Sequence, residues 1–308
     1  MDGRTQTVAA VVVTHNRIEF LKKCIQSLRE QTRKVEEIIV VNNNSTDGTF
    51  EWLSSQNDLS VINQENTGSA GGQHTGIKIA FEKGYDWIWC LDHDIQVEKD
   101  ALEKLFSRAI SSLENIGFLS SNIYFDEDNL AYLNIPELAK PYEVLNSVSK
   151  NKPIPIISAS FGSLLVPHYV IKQIGLPCSE FFIYGDDAEF TLRIIENGFN
   201  GFLVRESKAK HNETSNNPNP YNNLNYKDKK FVLGIRNMTY VNIKRNIIVY
   251  NSRLRGYLSS FMFVLRILKL RRASIKECSL CLMIISFYSL FKGFLFNPKI
   301  YFPIKRSL

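Results

Sequence analysis

The 308-residue sequence predicts an α/β fold, a mainly parallel sheet with helices on both faces, on three observations. Short β-branched runs alternate with stretches whose apolar residues recur at helical spacing. The runs follow one another as β-α-β-α-β-α-β, an order that favours parallel pairing with helical crossovers. A polar cluster also stands at the end of each of these runs, where ligands bind in open sheets of this kind.

The elements follow in order. Residues 8–13 form a continuous apolar run, as expected of a strand buried on both faces. Thr14-His15-Asn16-Arg17 breaks it, and Phe20, Leu21, Cys24, Ile25 and Leu28 then mark one face of a helix ending near Gln31-Thr32. Residues 38–41 are the second strand, followed by the polar turn 42–48, a short helix over 49–54 and a third strand over 59–63. Gly68 to Gly76 leads a helix continued by Ile77, Ala80 and Phe81, and 87–91 is the fourth strand. Beyond it the pattern predicts a helix over 101–113, a strand over 116–125 and one apolar strand over 153–166. A helix follows over 187–197 with Glu189 and Arg193 on its polar face, then a strand over 201–204. Residues 126–153 carry no clear period, and the Asn- and Pro-rich 214–225 reads as a loop able to cover a site.

Charge divides the chain in two. Residues 227–308 hold 17 Lys and Arg against 2 Asp and Glu, a net +15; residues 1–226 hold 20 against 29, a net −9. We therefore expect a catalytic domain over 1–226 and a basic helical region over 227–308, its apolar stretches at 258–270 and 278–296. The uninterrupted apolar run before Lys292 is shorter than the roughly 20 residues that span a bilayer. Basic amphipathic helices on an anionic membrane surface fit it, and a helical pair packed on the catalytic domain is the competing expectation. No nucleic-acid partner is expected. The five cysteines, Cys24, Cys90, Cys178, Cys278 and Cys281, are odd in number and mostly in apolar contexts, which points to buried thiols in a reducing compartment. Cys278-x-x-Cys281 has no second ligand pair to complete a zinc site. No charged-then-apolar leader opens the sequence, so secretion is not expected.

Two acidic clusters carry the chemistry. Asp92-His93-Asp94 ends the fourth strand, and Asp-x-Asp there suits a divalent cation neutralising a diphosphate. Gly185-Asp186-Asp187 opens a helix; one of its carboxylates suits a general base, and an acidic first turn serving the helix dipole is the plainer alternative. His211 follows as a metal ligand or as an ordinary hydrogen-bonded histidine. Asn66-Thr67-Gly68-Ser69-Ala70-Gly71-Gly72 follows the third strand rather than the first, so it is no dinucleotide fingerprint; its glycines let a helix pack under a donor.

These stretches together resemble the family 2 glycosyltransferases of GT-A fold, most closely the bacterial galactofuranosyl- and rhamnosyltransferases. The likeness lies in residues 11–17, 40–48, 66–76, 91–94 and 184–193 with His211. It implies that Thr14 and Arg17 flank a nucleotide, that Asn42 and Asn44 lie by base and ribose, and that Asn66 and Gly68 adjoin the donor. It implies further that Asp92 and Asp94 hold a metal-diphosphate, that His211 completes the shell of Mn²⁺ or Mg²⁺, and that Asp187, beside Asp186, is the base. Many relatives carry Asp where this chain has Asn42, which leaves a UDP- and a dTDP-sugar both open. The expected activity is inverting transfer of a galactofuranose- or rhamnose-like sugar to a glycan or lipid-linked glycan in cell-surface polysaccharide or O-antigen synthesis. The expected place is cytoplasmic, peripheral on the inner face of the cell membrane. An inactive sugar-nucleotide-binding module and a membrane scaffold are the non-enzymatic alternatives, and a nucleotidyl- or phosphotransferase lacks its usual Lys-bearing phosphate loop.

Overall fold

The computed structural model describes residues 6–107, 113–150, 152–213, 215–216, 225–274 and 279–303. Strands β1 (Val8–Thr14), β2 (Glu37–Asn42), β3 (Leu59–Asn63) and β4 (Trp87–Asp92) pair in parallel in the order β3-β2-β1-β4. The connecting helices are α1 (Ile18–Arg29), α2 (Thr49–Ser54) and α3 (Gly68–Glu82). Strand alternation sends Val8, Ala10 and Val12 to one face, against Leu21, Cys24, Ile25 and Leu28 of α1. Ala9 and Val11 go to the other face, against Ile77, Ala80 and Phe81 of α3. Helix α3 lies tight on the sheet because a Cβ at Gly72 would overlap Val13 and one at Gly76 would overlap Val11.

The second half of the sheet is mixed. After β5 (Ile95–Val97) and α4 (Ala101–Leu105) come β6 (Ile116–Tyr124), a helical turn at Tyr132–Asn134 and β7 (Glu137–Leu138). Then follow α5 (Pro141–Ser149), β8 (Ile154–Ser158), β9 (Leu164–Pro167), α6 (His168–Ile174), α7 (Asp186–Glu196) and β10 (Asn200–His211). Strand β9 runs antiparallel between β4 and β6, and β10 is parallel to β6, giving a ten-stranded sheet ordered β3-β2-β1-β4-β9-β6-β10-β8-β7 with β5 on β10.

Several expectations change here. The apolar run at 153–166 is two strands, because residues 159–163 turn the chain back to the middle of the sheet. Helix α4 ends at Leu105, and residues 108–112 of the expected helix lie outside the described residues. The strand expected at 201–204 continues to His211. Residues 126–153, without a period in the sequence, hold the turn at Tyr132–Asn134, β7 and α5. Most of the expected covering loop, Thr214 and 217–224, also lies outside the described residues.

The basic region folds as α8 (Lys229–Tyr250), α9 (Arg253–Ser274) and α10 (Ser279–Leu295). Phe231 and Ile235 of α8 share a core with Val264 and Ile267 of α9 and with Leu282 and Leu290 of α10. Helix α8 also packs on the sheet-bearing half: its Val241 joins Ala70, Cys178, Phe181 and Leu192 in a buried cluster. Among the described residues, no helix is long and apolar enough to cross a membrane. Cys24, Cys90 and Cys178 are buried, whereas Cys281 is exposed and Cys278 lies outside the described residues.

Candidate active site

The carboxyl ends of β1 and β4 open onto a cavity of about 630 Å³ whose wall includes Thr14, Arg17, Asn66, Gly68, Asp92 and Asp94. Two loops crosslink to shape its rim. Asn16, at φ 53°, accepts a hydrogen bond from the Thr46 amide at 2.7 Å, and Asp47 accepts one from the first amide of α1, Ile18, at 3.1 Å. The Thr14 hydroxyl is buried in this wall with no hydrogen-bond partner among the described residues. Such an orphan is costly unless a ligand satisfies it.

Asn42 and Asn44 are not among the residues lining the cavity. The Asn42 side chain is spent inside the protein, donating to Asn63 Oδ1 at 2.9 Å and accepting from the Ser45 amide at 3.1 Å. Asn44 is an exposed turn residue at φ 56°. Their neighbour Asn43 lines the cavity and donates to the Gly68 carbonyl at 2.9 Å, tying β2 to the start of α3.

A second cavity of about 700 Å³ shares Asp92, Asp94, Tyr184 and Glu213 with the first and extends to Asp186, Asp187 and His211. Here β4, the last residue of β10 and the first turn of α7 converge. The ligand atoms of Asp94, His211 and Glu213 lie within 4.8 Å of one another, with His211 Nε2 3.4 Å from Asp94 Oδ2 and 3.8 Å from Glu213 Oε1. Asp94 Oδ1 is buried with no hydrogen-bond partner among the described residues. Two carboxylates and one imidazole with ligand atoms this close, one of the carboxylates keeping an unpartnered oxygen, fit a divalent cation.

The second nitrogen of His211 is also held. Nδ1 sits 2.7 Å from Asn134 Oδ1, and the Asn134 amide donates to Ser160 Oγ at 2.8 Å. With its NH₂ directed at Ser160, Asn134 presents its oxygen to His211, so Nδ1 carries a proton. Nε2 is the nitrogen that faces the carboxylates, donating to Asp94 when protonated and able to ligate a cation when not.

Crowding sets the charge states. Burial, then the nearby Asp94 carboxylate, pushes Asp92 up to about 7. Burial would also raise Asp94, but its hydrogen bond to His211 and the charges of His93 and His211 bring it below the usual range. Burial alone would lower His211; Asp94 reverses this and raises it. Asp187 is pushed to about 6 by burial, against the backbone amides that it accepts from, including Ala188 at 2.7 Å. Asp186 is driven well above the ordinary range by burial and by Asp187, and its Oδ2 has no hydrogen-bond partner among the described residues.

The loop leading into α7 is strained. Phe182 stands at φ 64°, ψ −54°, and the Ile183 amide bonds to the Phe181 carbonyl at 2.7 Å, a γ-turn of the rare φ-positive kind. Tyr184 at φ 63° and Gly185 at φ 84° follow. Each non-glycine residue so placed costs about 1–3 kcal/mol, a cost met where surrounding contacts dictate the conformation, commonly at active sites.

Residues 9–168 match the sequence profile described as Glycosyl transferase family 2. The chain belongs to this family. Within it the chain is 30% identical over 203 residues to galactofuranosyltransferase GlfT1 of Mycolicibacterium smegmatis, covering 63% of this chain and 67% of that protein. The same protein of Mycobacterium tuberculosis is 31% identical, with 63% and 66% covered. Glycosyltransferase GlyA of Streptococcus pneumoniae matches at 26% over 42% of this chain and 18% of its own length. A crystal structure of GalNAc-T7 with UDP, GalNAc and Mn²⁺ superposes with a TM-score of 0.61 at 15% identity, over 94% of this chain and 55% of that one, a likeness of fold.

As a family 2 chain, it shows two residues that its sequence pattern had not brought forward. Glu213 stands beside His211 in the sequence and joins its cluster; the spacing of two after a strand-ending histidine was a usable signal. Asn134 lies in the stretch without a period and is joined to the site only by the fold. Glu189 and Arg193 are a further correction: they sit buried, not on a polar face, paired at 2.9 Å and joined by Lys244 of α8 at 3.2 Å. Arg193 also donates to the Leu176 carbonyl at 3.0 Å, so its charge is satisfied inside the protein.

Proposed function

We propose that this family 2 glycosyltransferase is inverting and depends on a divalent cation, with Asp187 as general base. The observation that carries the reading is that Asp187 and the Asp94–His211–Glu213 cluster line one cavity, which opens onto the cavity that takes the donor. Asp94, His211 and Glu213, with Asp92 beside them, would hold Mn²⁺ or Mg²⁺, which supplies Lewis-acid stabilisation of the charge growing on the departing diphosphate.

The remaining work falls to the chain itself. Asp187, ionised above about pH 6, takes the proton of an acceptor hydroxyl as its oxygen bonds to the anomeric carbon. The bond from that carbon to the diphosphate oxygen breaks on the opposite face, and its electron pair leaves with the nucleoside diphosphate. Burial drives the Asp186 carboxyl well above the ordinary range, which disfavours a second negative charge beside the base. The free hydroxyl of Thr14 and the guanidinium of Arg17 stand in the donor cavity, where a nucleotide diphosphate offers acceptor oxygens.

The donor is a UDP-sugar, with UDP-galactofuranose first by likeness to the galactofuranosyltransferases and dTDP-rhamnose second. The acceptor is a glycan on a lipid carrier in cell-surface polysaccharide synthesis, and the enzyme works on the inner face of the cell membrane. The second cavity supports this, since it runs from Asp187 to Phe263, Arg266 and Ile267 of α9. The same helix exposes Leu254, Leu258, Phe261, Met262 and Leu265 beside Arg253 and Arg255, an amphipathic surface suited to an anionic bilayer. The test is a panel of UDP- and dTDP-sugars assayed for Mn²⁺-dependent nucleotide release with synthetic lipid-linked acceptors, with the product anomer read by NMR. Turnover of one donor with inverted configuration is expected; retained configuration, or full activity in EDTA, would refute the reading.

A further inference from the structure

The strained loop that delivers Asp187 is gripped from outside the catalytic half. Asn237 of α8 is fully buried, and its one amide nitrogen reaches three carbonyls of that loop: Phe181 at 2.8 Å, Ile183 at 2.7 Å and Tyr184 at 3.0 Å. Its side-chain oxygen accepts from Arg236 at 2.8 Å, and Arg236 donates to the Glu180 carbonyl at 2.7 Å. Together the two side chains bind carbonyls of four of the five residues from Glu180 to Tyr184. The carbonyl left over, Phe182, turns the other way and accepts from the Ala70 amide at 3.3 Å, in the space that Gly68 leaves by having no Cβ.

We infer that Asn237 is a positioning residue for the general base, holding the φ-positive turn at Phe182–Gly185 so that Asp187 enters the cavity at the start of α7. The inference rests on the reading of Asp187 as base. Carbonyls that point one way from a γ-turn repel each other, and a relaxed loop would turn them apart. A donor placed among them from a rigid helix removes that freedom. Phe181 secures the same register, buried with Tyr240 and Phe296 as ring neighbours at 5.9 and 5.2 Å. The helical region that also carries the amphipathic surface is thereby built into the catalytic centre. Because the Phe182 carbonyl is held by α3 and the carbonyls on either side of it by α8, the loop links the donor side of the site to the helical region.

The experiment compares Asn237→Leu, which keeps the approximate volume and loses the donors, with Asn237→Asp, Arg236→Gln, Asp187→Asn and the Asn237→Leu/Asp187→Asn double variant. Turnover is read as UDP release from UDP-galactofuranose, UDP–Mn²⁺ affinity by titration calorimetry, and the loop by hydrogen exchange of residues 181–189. We expect Asn237→Leu to lower kcat by about 100-fold, the usual cost of an ångström's misplacement, with UDP–Mn²⁺ affinity retained and exchange across 181–189 accelerated. In the double variant the second substitution should add almost nothing, since a misplaced base that is already disabled loses little. Additive losses would assign Asn237 a general structural role and overturn the proposal, as would wild-type kcat in a folded Asn237→Leu. If neither Asn237 variant folds, Arg236→Gln decides: reduced kcat with faster loop exchange supports the clamp, and wild-type values for both refute it. Should the wild-type protein release no UDP, the donor assignment fails by itself, while loop exchange in the variants still reports on the clamp.

Discussion

At the scale of single residues, the site separates carboxylates by environment. Asp94 is held ionised by His211, whereas Asp92, Asp186 and Asp187 are all raised, chiefly by burial. A base raised to about 6 works only when ionised, so transfer should fall as pH drops through about 6 and level off above it. A pH–rate profile without that acid limb would remove Asp187 from the role. The raised carboxyls also bear on stability. Their folded values exceed the unfolded ones, so their stabilising effect is complete at acid pH and is lost as pH rises through about 6 to 7. Thermal unfolding should therefore show Mn²⁺ raising the melting temperature more at pH 8 than at pH 5. Asn134 acts through His211: Asn134→Ala should weaken Mn²⁺ binding by about 10- to 100-fold in titration calorimetry, and unchanged affinity would mean the imidazole needs no such support.

At the scale of elements, the sequence was legible where burial imposed a period. Strands β1 to β4 and helices α1 and α3 stand where apolar runs and helical spacing put them, because β1, β2 and β4 are buried on both faces, the edge strand β3 is partly buried, and each helix is buried on one face. Asp92 and Asp94, flagged at the end of the fourth run, and Asp187, flagged at a helix start, line one cavity. Three things escaped that logic. The run at 153–166 gave no sign of its reversal, since both strands are apolar and the turn between them is built of small residues. Asn134 comes to His211 through tertiary contact alone. Glu189 and Arg193 obey the helical period of a polar face, yet a bidentate pair completed by Lys244 is stable in the core, and no single-helix pattern reveals the partner. Arg193→Met should therefore cost about 3–5 kcal/mol in denaturant unfolding, because it leaves Glu189 charged and half-paired inside the protein.

For the whole molecule, the two charge regions act as one machine. The acidic half forms the sheet and both cavities, and the basic half supplies α9 to the wall of the second cavity and α8 to the loop before Asp187. The helices pack on the catalytic half, as the competing expectation for the tail had it, and α9 still presents an exposed apolar strip with basic neighbours, on which the proposed membrane contact rests. Leu258→Glu with Met262→Glu should release the protein from vesicles of phosphatidylglycerol and phosphatidylethanolamine in co-sedimentation, with UDP–Mn²⁺ binding kept. Equal sedimentation of variant and wild type would leave the membrane without a part in the account.

The central claim is that Asp187 removes the acceptor proton beside a cation held at Asp94 and His211. Its most direct test is Asp187→Asn, assayed for transfer and for UDP–Mn²⁺ affinity in one preparation. Transfer should fall by about 10²–10⁴-fold while UDP–Mn²⁺ binds as in the wild type. Transfer at the wild-type rate would contradict the account.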